Sequence, residues 1–161
     1  MATSLSSEER STNGVTMVFN DIVQKADAHS TKELDVMFAG LQPIAVDEMV
    51  GEWRVGYLFT EGTGSKWETF IKYFPIKLYS KKFVDKNNVK AWIFRIFGIK
   101  FGAPLTSAVL RLVNFRDKVS AGMIYNYLPM IDNFRKVDEK TIMGIMEIKG
   151  KVSVYFYLTR I

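Results

Sequence analysis

Gly51-Glu52-Trp53-Arg54-Val55-Gly56-Tyr57-Leu58-Phe59 is where the hydrophobic period of the chain changes to two. Trp53, Val55, Tyr57 and Phe59 fall on one face, the alternation of a strand with one side in an aromatic interior. The pattern returns downstream. Residues 78–84 and 89–97 read as strands joined by the turn Asp85-Lys86-Asn87-Asn88. Residues 108–115 and 119–125 form a hairpin around Arg116-Asp117-Lys118, and 141–148 with 152–158 form another around Gly150-Lys151. Residues 67–74 fit a helix better than a strand. Some seven short strands with turn signals predict an antiparallel sheet curled into a barrel or half-barrel.

Upstream the period is helical. Val15, Val18, Phe19, Ile22, Val23 and Ala26 line one face of a helix over 15–28. Ser30-Thr31-Lys32-Glu33 has the capping-box spacing, and Leu34, Met37, Phe38 and Leu41 carry a second helix until Pro43 ends it. The expected organisation is a disordered polar tail (1–14), N-terminal helices packing on the barrel (15–46) and a barrel domain (47–161). The fold class is mainly β (α+β).

Composition narrows the chemistry. The chain has 161 residues, 48% of them hydrophobic, enough for one core but too few for two. It has no cysteine and a single histidine, His29, which lies in a polar turn and is expected at the surface. A Cys nucleophile, a His/Cys zinc site and a disulfide scaffold are excluded. Neither a G-x-G-x-x-G nor a phosphate-binding loop occurs. We therefore expect no cofactor and no metal. Lys+Arg outnumber Asp+Glu by 22 to 17, but the basic residues are scattered among core-like aromatics, so no nucleic-acid partner is expected. No secretory segment is evident and no apolar run approaches the ~20 residues of a membrane span. The expectation is a cytoplasmic protein without stable membrane insertion.

Proton transfer then falls to carboxylate, lysine and tyrosine. Tyr79, Lys81 and Phe83 share a strand face, so if the aromatics point into the cavity Lys81 does too. A cavity lysine loses hydration and becomes a candidate base, Schiff-base amine or oxyanion clamp; the alternative is a strand-end lysine reaching solvent along its stem. Asp132 suits a general acid with raised pKa, the cap of a short helix from Asn133, or a partner for Arg135 or Arg111. Arg111, if inward, needs Asp132 or Glu52. Tyr125, Tyr127 and Tyr57 are candidate hydroxyl donors, and Met123 is among the methionines that would soften a pocket for an irregular apolar ligand.

Gly51-Glu52-Trp53-Arg54-Val55-Gly56-Tyr57 is similar to the opening of the family named for its GXWXG motif. Residues 107–161 resemble the domain of unknown function that follows it there. The likeness is carried by residues 120–125, by Leu128-Pro129-Met130-Ile131-Asp132-Asn133-Phe134-Arg135-Lys136-Val137-Asp138, and by 141–147 and 155–160. Val55, Thr60-Glu61-Gly62, Asn126 and Asn133 depart from the family pattern. The family pattern also places a lysine at Lys81.

The resemblance implies a lipocalin- or nitrobindin-like small barrel holding an apolar molecule. By analogy it implies cofactor-free isomerisation or cyclisation in natural-product biosynthesis. On that reading Lys81, Asp132 and Tyr125 are the catalytic candidates, and Trp53, Tyr57, Phe59, Tyr79, Phe83, Arg111, Met123 and Phe134 the ligand-binding ones. The competing expectations are a non-catalytic carrier or sensor of an apolar ligand, and a membrane-surface module built on Trp92, Phe94, Phe97 and Lys100. A homodimer is compatible with each.

Overall fold

The computed structural model describes residues 6–25, 28–62 and 65–161. Its strands are β1 (Gly51–Leu58), β2 (Leu78–Asp85), β3 (Asn88–Ile96), β4 (Ile99–Gly102), β5 (Ser107–Phe115), β6 (Lys118–Tyr125), β7 (Met130–Lys136), β8 (Thr141–Ile148) and β9 (Lys151–Arg160). The helices are α1 (Ser7–Gln24) and α2 (Thr31–Gly40), before the sheet, and α3 (Lys66–Tyr73), between β1 and β2. All strand pairs are antiparallel, in the order β2-β1-β9-β8-β7-β6-β5-β3, and pairing of β2 with β3 closes an eight-stranded barrel. β4 lies outside the ring as the return strand of a hairpin with β3.

Two of these strands escape the sequence pattern. β4 is short and exposed throughout. β7 carries Asp132, Asn133 and Arg135, all buried, so polar residues stand on both of its faces and the alternation vanishes. The helix considered from Asn133 is therefore a strand, and Asp132 caps nothing. Helix α1 also begins at Ser7, not at 15, which overturns the disordered tail for residues 7–14. Those first turns have no apolar stripe; they extend a helix whose packing at Phe19 and Ile22 has already met the cost of nucleation. Ala26, placed on that helix face by its spacing, lies outside the described residues.

The barrel wall separates two apolar clusters. Outside it, Phe19, Ile22, Leu34 and Phe38 of α1 and α2 cover Met143, Ile145 and Tyr155 of β8 and β9. Arg135 leaves β7 on this outer face, 4.4 Å over the Phe38 ring, and donates to the carbonyls of Phe38 (2.9 Å) and Ala39 (3.3 Å) at the end of α2 and of Phe115 (3.0 Å). A guanidinium there satisfies terminal carbonyls and complements the helix dipole. Inside the barrel, Ile44, Met49, Trp53, Phe83, Leu110, Met123 and Phe134 fill one end. The chain after α2 stoppers this end: Ala121 N–H donates to the Ile44 carbonyl (2.9 Å), and the Trp53 indole donates to the Met49 carbonyl (2.8 Å).

Two bulges set what faces the other half of the lumen. Pairing runs Leu78↔Phe94, Ser80↔Ile93 and Lys82↔Lys90, so β2 has an extra residue beside Tyr79 and β3 has one between Lys90 and Ile93. A bulge reverses the facing of every residue beyond it. Leu78 and Lys81 consequently both face inward, as do Trp92 and Phe94, while Tyr79 is turned out. The expectation that Tyr79 shares the face of Lys81 and Phe83 fails for this reason.

Gly144 permits one close approach: a Cβ there would lie 2.4 Å from Cζ of Phe156. Gly144→Ala forces Phe156 toward the lumen and should cost about 1–3 kcal/mol, the usual penalty of overpacking. Urea unfolding of the variant should show a lower midpoint with an unchanged slope.

Candidate functional site

Lys81 and Asp132 stand on opposite walls. β2 and β7 are four strands apart in either direction around the barrel, and the two side chains meet across the lumen with Lys81 Nζ 3.0 Å from Asp132 Oδ2. Both are buried. Lys81 also donates to the Tyr125 hydroxyl (3.1 Å) and to the Ala91 carbonyl (3.4 Å), which employs all three ammonium protons. The Tyr125 hydroxyl accepts a second bond from the Trp92 indole (2.9 Å) and donates to Asp132 Oδ2 (3.4 Å). The cation further sits 5.5 Å from the Phe156 ring centroid.

The other carboxylate oxygen, Asp132 Oδ1, is buried and has no hydrogen-bond partner among the described residues. Such an acceptor is rare inside proteins; His29 Nδ1 and Asn133 Oδ1 are likewise buried without a partner among the described residues. Burial pushes the Asp132 carboxyl above its ordinary range, and Lys81 pulls it partly back. The phenols of Tyr125 and Tyr57 are both pushed well up by burial and by the Asp132 charge, so they stay protonated donors at physiological pH.

Above the pair lies a cavity of about 190 Å³. Its floor is Lys81, Asp132 and Trp92; its walls are Val55, Tyr57, Phe94, Met146, Val154 and Phe156; its roof is the inner face of α3 with Phe74 and Ile76. Trp67, Phe70, Ile71 and Phe74 recur at i, i+3, i+4 and i+7, an amphipathic stripe legible in the sequence though not used there. Polar contacts at both ends hold the roof. Ser65 caps α3 by accepting from Glu68 N–H (3.1 Å) and donates to the Ser153 carbonyl. Glu68, itself buried, accepts from the Thr60 backbone and hydroxyl, and Lys77 donates to the carbonyls of Ile71 (2.7 Å) and Lys72 (2.8 Å).

Of the sequence candidates, Lys81, Asp132 and Tyr125 come together, and Tyr57 lines the cavity beside them. The remaining ligand-binding candidates do not. Trp53, Phe83, Met123 and Phe134 belong to the packed end below the pair. Phe59 stacks on Tyr57 at 5.9 Å outside the lining, and Tyr79 lies on the outer face with Arg54, Arg95 and Lys100 around its ring. Arg111 points outward and donates to the carbonyls of Lys86 (3.0 Å) and Leu110 (2.6 Å), so neither Asp132 nor Glu52 is its partner. Tyr127 is exposed. His29, expected at the surface, is buried where the segment between α1 and α2 bridges Thr60 at the end of β1.

The sequence reading named Met146 only among the methionines that would soften a pocket, and it missed Trp92, whose inward turn depends on the β3 bulge, together with Val154 and Phe156. The alternation of 152–158 already placed the last two on one face.

Two family models match the chain in tandem: the GXWXG protein over residues 36–96 and the domain of unknown function DUF4334 over residues 106–160. A solved structure described as a protein from Thermomonospora curvata is 30% identical, covers 92% of this chain and 99% of its own, and superposes with a TM-score of 0.79. Among curated proteins none matches.

Removing one member of the buried pair strands the other. Lys81→Met should cost about 3–5 kcal/mol, and adding Asp132→Asn should recover much of that loss. The pH dependence has a defined sign. In Lys81→Met only the Tyr125 hydrogen bond still opposes the burial that raises the folded-state pKa of Asp132, so stability is highest at low pH and falls as pH rises through that value. The double variant should lack this fall, as thermal melts across pH will report.

Proposed function

The chain belongs to the GXWXG family in its tandem form with DUF4334, and from that premise we propose that its barrel, lipocalin-like in use, binds an apolar carbonyl compound and isomerises it by cofactor-free proton transfer. The observation that carries this reading is the open oxygen of Asp132 in the floor of a largely apolar cavity. A cavity of about 150 Å³ takes benzene, so about 190 Å³ suits one ring with a few substituents.

Asp132 is the proton acceptor in this scheme. Its raised pKa brings a carboxylate nearer to the basicity that proton abstraction requires, while Lys81 keeps it ionised and holds Oδ2 aside. Tyr57, whose hydroxyl finds no acceptor among the described residues and which lines the same cavity, donates to the substrate carbonyl and stabilises the enolate oxygen. Asp132 takes the proton from the α-carbon, the carbonyl π electrons move to oxygen, and the same carboxyl returns the proton at the γ-carbon of an unsaturated substrate. Tyr125 and Trp92 are positioning residues for the pair. Lys81, its three protons engaged, is an electrostatic partner in this scheme, not a Schiff-base amine. Biosynthesis of a small natural product is the setting we propose for such a step.

Deuterium incorporation tests this directly. One-ring ketones, among them cyclohex-3-enone, are incubated with the protein in D₂O and followed by proton NMR. Exchange at the α-carbon and migration of the double bond should be accelerated, and Asp132→Asn should lower the rate by about 10²–10⁴-fold, the usual worth of a general base. Ketones that bind without any accelerated exchange would make the protein a carrier; ketones that do not bind would end the proposal.

A further inference from the structure

The β3–β4 hairpin contains two choices that its own fold disfavours. Its two-residue turn is Phe97-Gly98, with φ of 49° and 83°. Positive φ at both positions is the geometry that selects Asn-Gly or Asp-Gly, and an aromatic residue is strained there. Phe97 is nevertheless fully exposed (100%), so the strain secures no packing within the chain. One step down the hairpin, Arg95 and Lys100 are direct cross-strand partners, two like charges placed opposite each other with the Tyr79 ring 5.2 and 5.3 Å from them. Of the two, Lys100 alone has a counter-ion among the described residues, Glu52 at 2.7 Å. From Lys86 to Arg116 the sequence holds no Asp or Glu.

These features share an orientation. The basic residues and Tyr79 occupy one face of the hairpin, and Phe94 and Phe101, stacked at 5.8 Å, occupy the other. Ile99 (71% exposed) continues the apolar character of the tip. Phe94 also lines the cavity, whose roof, α3, exposes Tyr73 (76%) and part of Phe70 (48%) at the same end of the barrel. An apolar tip flanked by two cations, only one of which is paired with an acid, has a complementary partner in an anionic lipid surface, where rings enter the headgroup boundary and lysine and arginine meet phosphate.

We propose that the β3–β4 hairpin, led by Phe97, is an anchor that docks the cavity mouth onto anionic membrane. Among the described residues no helix is long and apolar enough to cross a bilayer. Of the aromatic residues that the sequence suggested for such a surface, Phe97 serves it directly, whereas Trp92 and Phe94 line the cavity. The anchor stands apart from the chemistry assigned to Asp132. An apolar ligand concentrated in the bilayer would then reach the cavity without crossing water.

The test uses the full chain with vesicles of phosphatidylcholine alone and of phosphatidylcholine mixed with phosphatidylglycerol, at low and at physiological salt. The protein should sediment with the mixed vesicles, less so as salt rises, and not with phosphatidylcholine alone. Phe97→Asn suits the turn better, so it should hold or raise Tm while reducing vesicle binding at least about tenfold, the scale of withdrawing one large apolar side chain. Because that variant is expected to fold at least as well as the parent, loss of binding cannot be ascribed to unfolding. Absence of binding to mixed vesicles, or equal binding by Phe97→Asn, overturns the proposal. Concentration-dependent dimerisation that Phe97→Asn abolishes, without vesicle binding, also overturns it and assigns the hairpin to a second copy of the chain.

Discussion

A lysine and an aspartate buried together across the lumen are the constraint around which this barrel is organised. Two charges removed from water are tolerated only with close pairing and further hydrogen bonds, and Tyr125, Trp92 and the Ala91 carbonyl supply them. The pair divides the interior. Below it Trp53, Phe83 and Phe134 pack to a closed end; above it the walls stand apart and leave a cavity. A well-packed apolar layer in its place would be cheaper for stability, so the polar one has to be explained by what it does to the space above.

The electrostatics give that explanation a direction. Lys81 spends its protons on Oδ2, Tyr125 and a carbonyl, and Oδ1 is left as the open acceptor. Tyr57 supplies a protonated phenol on the neighbouring wall, and apart from Lys77, whose ammonium donates to the Ile71 and Lys72 carbonyls, the rest of the lining is aromatic or aliphatic. On the reading proposed above, one acceptor and one donor in largely apolar surroundings suit a substrate that carries its polarity in a single carbonyl. The roof α3 is tied down through Ser65, Glu68 and Lys77, while its apolar stripe is shared between the cavity and the outside.

Much of this was legible in the residues. The period-two run from Gly51, the capping box at Ser30 and the turns at Asp85 and Arg116 marked the sheet, the second helix and its hairpins, and the tandem family resemblance holds. Lys81, Asp132 and Tyr125 were identifiable because no histidine or cysteine competed for the chemistry. What stayed hidden is local. β7 has polar residues on both faces because one side meets Lys81 in the lumen and the other caps α2 through Arg135, so no alternation remained to read. The bulges near Tyr79 and between Lys90 and Ile93 reverse the facing of their strands, which ejects Tyr79 and admits Trp92. Arg111 shares a strand face with the apolar Val109, Val113 and Phe115, which made an inward turn conceivable, but that face is the outer one.

A crystal structure of the protein with a bound one-ring phenol, a mimic of the enol, would examine the central claim at the level of atoms. The account predicts the phenol oxygen in the cavity within hydrogen-bonding distance, roughly 2.6–3.2 Å, of both Asp132 Oδ1 and the Tyr57 hydroxyl, with the Lys81–Asp132 contact intact. A ring seated with its oxygen turned away from Asp132, or a cavity that collapses onto Oδ1 and excludes the phenol, would contradict it.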